Sequence, residues 1–167
     1  MVILRFSRGR GIAGALVRAV TWSDFAHVGF SLMDGWVLDA TPQYGVSARA
    51  AQDDAQTRYF AVRGVAGAQE IAAMEFAWSQ AHQPYDWTGA LGVGLHRDWR
   101  RSGRWDCAEL VAAAMEHAGY PLIRQHHLDR VTPASLLLSP YLIPLPVGGG
   151  WGVDAPRAAR QHLAQPV

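Results

Sequence analysis

Cys107 is the only cysteine in the chain, and it stands where a helix should begin. Asp106 is an N-cap type, Glu109 three residues on completes a capping box, and residues 110–115 supply good helix formers with an apolar face. Cys107 then falls in the first turn, where free N–H groups and the positive end of the helix dipole favour the thiolate, the nucleophilic form of cysteine. Most single cysteines are small buried hydrophobes and not catalysts. The capped helix start is what sets this one apart. Two further polar residues, His27 and Asp39, could be brought near each other by strand geometry. They lie in two strand-like segments, 26–32 and 36–40, joined by Met33-Asp34-Gly35, and Asp-Gly is a strong hairpin signal. A turn centred on Asp34-Gly35 sets His27 opposite about position 42 and offsets Asp39 by about three residues, a gap that a bulge or a longer loop would shorten. Taken singly, His27 reads as a half-buried strand histidine and Asp39 as a carboxylate that helps the turn at Thr41-Pro42. Either plain reading would be the favourite alone, and jointly with a capped cysteine they become less so.

Several further elements have to hold this trio in place. Residues 2–6 form an apolar run that suits a first strand, bounded by Ser7-Arg8-Gly9, and Ile12, Leu16, Val17 and Val20 then recur at helical spacing. Short extended pieces are expected at 44–46 and 57–62. From Gly67 a helix carries Ile71, Met74, Ala77, Trp78 and Ala81 as an apolar stripe over about four turns, with Glu70 and Glu75 solvated and Pro84 as its stop. The connection from Pro84 to Trp105 is long, at about 20 residues, and loops of that length tend to carry function. Its glycines, between Thr88 and Leu95, match no phosphate-cradling motif and read as a bend or a short close-packed helix. Its Arg97, Arg100, Arg101 and Arg104, interleaved with Trp99 and Trp105, read as a solvated loop framing a site and not as a nucleic-acid surface. The cysteine helix should end near residues 117–119. His126-His127 invites a metal, but adjacent strand residues point to opposite faces and no second ligand cluster accompanies them, so zinc is not expected. Thr132 caps a short helix with Pro133 in its first turn. Pro140, Pro144 and Pro146 then interrupt the chain around residues 141–143.

The 167 residues are 50% hydrophobic and 17% charged, with a formal net charge of +1, the balance of one globular domain able to fold unaided. All 15 basic residues are arginine. One cysteine forms no internal disulfide, the N-terminus lacks a secretory pattern, and no apolar run approaches the roughly 18 residues that span a bilayer. The expectation is a soluble cytoplasmic protein with no integral membrane segment, export by another route remaining open. Residues 1–147 are expected to form the folded domain and 148–167 a loose glycine-rich extension.

The ordered set of motifs resembles a known family. A Trp-Ser-x-Phe-x-His-Val-Gly-Phe segment at Trp22 to Phe30, an acid-Ala-Thr-Pro strand end at Asp39 to Pro42, and Tyr85-Asp86 ahead of Cys-x-Glu-Leu-Val at Cys107 to Val111 are similar to the circularly permuted papain-like amidases of the YaeF/YiiX group. These belong to the broad NlpC-like superfamily, and the resemblance spans roughly residues 2–147. It implies an α+β, permuted papain-like fold with an antiparallel sheet packed against helices, in which the histidine strand precedes the cysteine helix. It also implies roles: Cys107 as nucleophile, His27 as general base, Asp39 as the orienting residue, and Tyr85 as a second oxyanion donor or pocket wall. The acid at the third position is usually glutamate. Aspartate is one methylene shorter, so its hydrogen bond to the histidine would be shifted, bridged by water or replaced by another group.

A cysteine hydrolase of this type cleaves an amide or ester bond, with cell-wall peptides, other amides and acylated groups as candidate substrates. It needs no metal and no organic cofactor. The competing reading is a papain-like binding module for a cell-wall, lipid or protein ligand, without turnover. A structural zinc protein using Cys107 and histidines is the third.

Overall fold

The computed structural model describes residues 1–9, 14–15, 18–19, 23–65, 67–87, 103–123 and 131–146. Among these residues, six strands form one sheet: β1 (Ile3–Ser7), β2 (His27–Ser31), β3 (Trp36–Thr41), β4 (Gly45–Ala50), β5 (Arg58–Val62) and β6 (Leu142–Pro144). Their spatial order is β4-β3-β2-β1-β5-β6, with every neighbouring pair antiparallel. Three helices accompany them: α1 (Ala68–Ser79), α2 (Cys107–His117) and the short α3 (Pro133–Leu137). The molecule is therefore α+β, the class that the family resemblance implies.

Alternation divides the sheet into two chemically different faces. Leu4 and Phe6 of β1, Val28 and Phe30 of β2, and Leu38 and Ala40 of β3 share one core with Met74 and Ala77 of α1 and Leu110, Val111, Ala114 and Met115 of α2. The rings of Phe6 and Phe60 meet edge to face at 5.2 Å inside this layer. The alternate positions carry Arg5, Gly29 and Asp39, with Arg5 paired across to Gly29. Arg5 is almost fully buried, and its guanidinium donates to Asp53 Oδ1 at 2.7 Å and to the Gln52 carbonyl at 2.6 Å. A buried guanidinium must be paired and hydrogen-bonded, so these two bonds fasten the loop after β4 to the polar face.

The β2–β3 connection differs from the expected hairpin by one residue. Centred on Asp34-Gly35, the turn would have set Phe30 opposite Asp39. Phe30 lies opposite Leu38 and Ser31 opposite Val37. The cause is a three-residue 3-10 turn, Met33–Gly35, in which Asp34 at φ 61° and Gly35 at φ 74° both take left-handed backbone. A one-residue slip flips every side chain to the other face. Here it puts Asp39 on the same side as Val37 and therefore as Ser31, Gly29 and His27.

Helix α1 is shorter than its apolar stripe. It ends at Ser79, so Ala81 lies beyond it, and its buried residues are Ala73, Met74 and Ala77 while Ile71 is exposed. Glu70, expected to be solvated, pairs with the N-terminal ammonium of Met1. The stripe identifies an amphipathic helix but not which part of it meets a neighbour. In α3, Thr132 and Ser135 cap each other as a box and Pro133 occupies the first turn. The proline-interrupted piece after it still forms a strand, β6, at the sheet edge where Pro144 has no ladder bond to donate. The 12–20 helix, the glycine and arginine stretch, His126-His127 and the 148–167 extension fall wholly or mostly outside the described residues. No helix among the described residues is long and apolar enough to cross a membrane.

Candidate active site

Helix α2 begins as its sequence requires. Asp106 Oδ1 accepts from the Ala108 N–H at 2.7 Å and the Glu109 N–H at 2.8 Å, while the Asp106 N–H donates back to Glu109 Oε2 at 3.4 Å. Cys107 is the first residue of the helix and is 5% exposed. Burial alone would suit an ordinary core cysteine. What distinguishes this one is its neighbour, since the His27 ring lies close enough to feel the charge of Cys107.

His27 opens β2, and two groups act on its ring. Nε2 lies 2.7 Å from Asp39 Oδ2, and Cys107 stands near enough for its charge to act on the ring. Burial pushes the imidazole pKa down, but the negative charge of Cys107, then that of Asp39, and the hydrogen bond to Asp39 more than reverse this, raising it to about 10. The ring is an imidazolium at neutral pH. Asp39 is fully buried; burial raises its pKa, and the His27 charge and hydrogen bond, followed by those of Arg49, outweigh that and hold it below the usual carboxylate range.

The aspartate reaches the histidine directly, with no need of a bulge or a bridging water. The turn places both on one face, and Gly29 between them leaves the space: a Cβ there would stand 2.8 Å from Asp39 Cβ and 2.8 Å from Val37 Cγ2. Sequence reasoning missed both Gly29 and Arg49. Arg49 Nη2 donates to Asp39 Oδ2 at 2.6 Å and its Nε to Oδ1 at 3.2 Å. Had the Thr41–Gly45 turn been read as a tight hairpin, alternation along β4 would have put Arg49 on the Asp39 face.

Tyr85 arrives by a separate route. The two ends of the long connection meet, with Asp86 N–H donating to the Trp105 carbonyl at 3.0 Å and Trp105 N–H to that of Pro84 at 3.2 Å. This bridge sets Tyr85 and the buried Asp86 beside the start of α2. Burial, then the negative charges of Cys107, Asp106, Glu109 and Asp86, push the Tyr85 phenol well above its ordinary range. It is a neutral hydrogen-bond donor. Burial also raises Asp106 to about 6 despite its two backbone hydrogen bonds, with Asp86 adding to the rise and His27 opposing it.

The structure thus brings Cys107, His27, Asp39 and Tyr85 together. Among the described residues, no group of three or more His, Cys, Asp or Glu side chains is arranged to hold a metal ion. No family model matches the sequence, and no curated protein matches it. Among solved structures, the chain is similar to metalloprotein YiiX from Escherichia coli O157:H7, a DUF1105 protein, with a TM-score of 0.68 and 16% identity over 87% of this chain and 95% of that one. The likeness covers nearly all of both chains and shows a shared YiiX-like fold.

Proposed function

We propose that this protein is a cysteine hydrolase of the permuted papain-like, NlpC-like type, cleaving an amide or ester bond. One observation carries the reading: a single imidazole hydrogen-bonded to a buried carboxylate and close enough to the sole cysteine to feel its charge. In this reading the Cys107 thiolate attacks the acyl carbon and forms a C–S bond. The oxyanion that develops is met by the Cys107 backbone N–H at the helix start and by the Tyr85 phenol. His27 gives its proton to the leaving nitrogen or oxygen, and the C–N or C–O bond breaks. A water then attacks the thioester, His27 takes its proton, and the acid leaves with the thiolate restored. Asp39 fixes the ring and steadies its charge throughout.

The neighbour is named a metalloprotein, but the donors at this site are committed to one another, His27 to Asp39 and Asp39 to Arg49, and they do not fit a metal ion.

The test is a screen of peptide amides, cell-wall peptide fragments and acyl esters, with Cys107→Ala as control. Turnover of one class that disappears in the variant supports the hydrolase. Binding of a fragment without turnover, unchanged in Cys107→Ala, would instead mark a non-catalytic module.

A further inference from the structure

We propose that Arg49 is a positioning residue of this site: its guanidinium grips both oxygens of Asp39 and so fixes the group that holds the His27 ring. The inference rests on the reading of Cys107, His27 and Asp39 as one reacting unit, and adds a fourth member from β4.

Three observations carry it. The first is geometric. Nη2 and Nε of Arg49 address Oδ2 and Oδ1 of Asp39 at 2.6 and 3.2 Å, the two-pronged match that a planar guanidinium makes with a carboxylate and that an ammonium cannot make. Oδ2 also meets His27 Nε2. A carboxylate held by the histidine alone could turn about its Cβ–Cγ bond, and the second contact from the guanidinium stops that rotation.

The second observation is the register of β4. Asp39 is directly opposite Ser47, and Arg49 is opposite Val37, one pleat along on the same face. The nearer residue does not take the task, since the buried Ser47 Oγ has no hydrogen-bond partner among the described residues. The longer side chain reaches diagonally across to the carboxylate instead.

The third is charge. Asp39 has no exposure to water, whereas the Arg49 side chain is 29% exposed. Imidazolium, carboxylate and guanidinium then alternate in sign from His27 through Asp39 to Arg49. Without Arg49, one imidazolium would face Cys107, Asp39 and, from the start of α2, Asp106, whose charge it also feels. Uncompensated buried charge drives a group to neutralise or move. In either case the ring loses its orientation.

The experiment is alkylation of Cys107 by iodoacetamide, followed by mass from acid to alkaline pH in the full chain. Because Cys107 is the sole cysteine, every adduct reports on it. Arg49→Ala is expected to slow alkylation at neutral pH about tenfold, the size of a one-unit change in a protonation equilibrium, and to move the pH profile. Arg49→Lys, which keeps the charge but not the fork, should recover part of the rate. In an Asp39→Asn background Arg49→Ala should add nothing, because its effect runs through that carboxylate.

The inference is overturned if Arg49→Ala matches the parent at every pH, if its loss persists in full in Asp39→Asn, or if Arg49→Lys matches the parent throughout. The last outcome is decisive even where Arg49→Ala fails to fold. His27→Ala separates the two levels. A loss there with none in Arg49→Ala removes Arg49 alone, while parent-like rates in His27→Ala overturn the Cys–His pair itself.

Discussion

Asp39 keeps a full negative charge with no exposure to water because two cations close on it, His27 at 2.7 Å and Arg49 at 2.6 Å. That arrangement explains why a side chain one methylene shorter than glutamate suffices here. Gly29 lets the strands approach, and the guanidinium supplies from β4 the restraint that a longer acid would need from elsewhere. Removing one partner of a buried charge set leaves the others uncompensated. Asp39→Asn should therefore destabilise the protein by about 3 kcal/mol, read from denaturant unfolding. A loss under about 1 kcal/mol, the level of a surface pair, would mean that the two cations do not depend on the carboxylate.

At the scale of elements, the site depends on one helix start and one turn. The α2 cap is formed by Asp106, whose pKa of about 6 in the folded state lies above its ordinary 3.8. The folded protein thus binds this proton more tightly than the unfolded chain, and the residue's contribution to stability falls as pH rises from 3.8 to about 6. Asp106→Asn keeps an acceptor for the cap and removes the charge beside Asp86, so it should abolish that pH dependence. Asp106→Ala loses the cap and should cost about 1 kcal/mol more than the asparagine variant. Equal thermal stability of the two variants would show that the cap contributes little. The turn is tested through Gly29. Because a Cβ would sit 2.8 Å from Asp39 Cβ, Gly29→Ala should cost about 1–3 kcal/mol, the range for overpacking, and should push Asp39 from His27. Unchanged unfolding would contradict the close approach.

Over the whole molecule, what could be read in advance was what is encoded locally. The Asp106–Glu109 box, the Thr132–Pro133 start and the strand types all lie within a few residues of their causes. The β2–β3 register did not, because it turns on Asp34 adopting a left-handed conformation that most residues avoid, and that single choice decides whether His27 and Asp39 share a face. The exposure of Ile71 was not legible for a related reason, since which part of the α1 stripe is buried is set by elements distant in sequence, whereas Arg49 was passed over although its partner lies on the adjacent strand. The site charges also leave a global signature. His27 is raised from 6.5 to about 10 in the folded state, so the stability it adds is fully present below 6.5 and is lost as pH rises through about 10. Asp39 is lowered, so its contribution is present above 3.8 and is lost as pH falls through its folded value. Melting temperatures should decline on the alkaline side in the parent and much less in His27→Ala, and parallel curves would contradict this. The most direct measurement is an NMR titration of the His27 ring. An imidazole bonded to a buried carboxylate and raised by the charge of Cys107 keeps its proton through neutrality and gives it up only near pH 10, and earlier once Cys107 is replaced by alanine. A ring that titrates near 6.5, indifferent to the cysteine, would contradict the ion pair on which the chemistry depends.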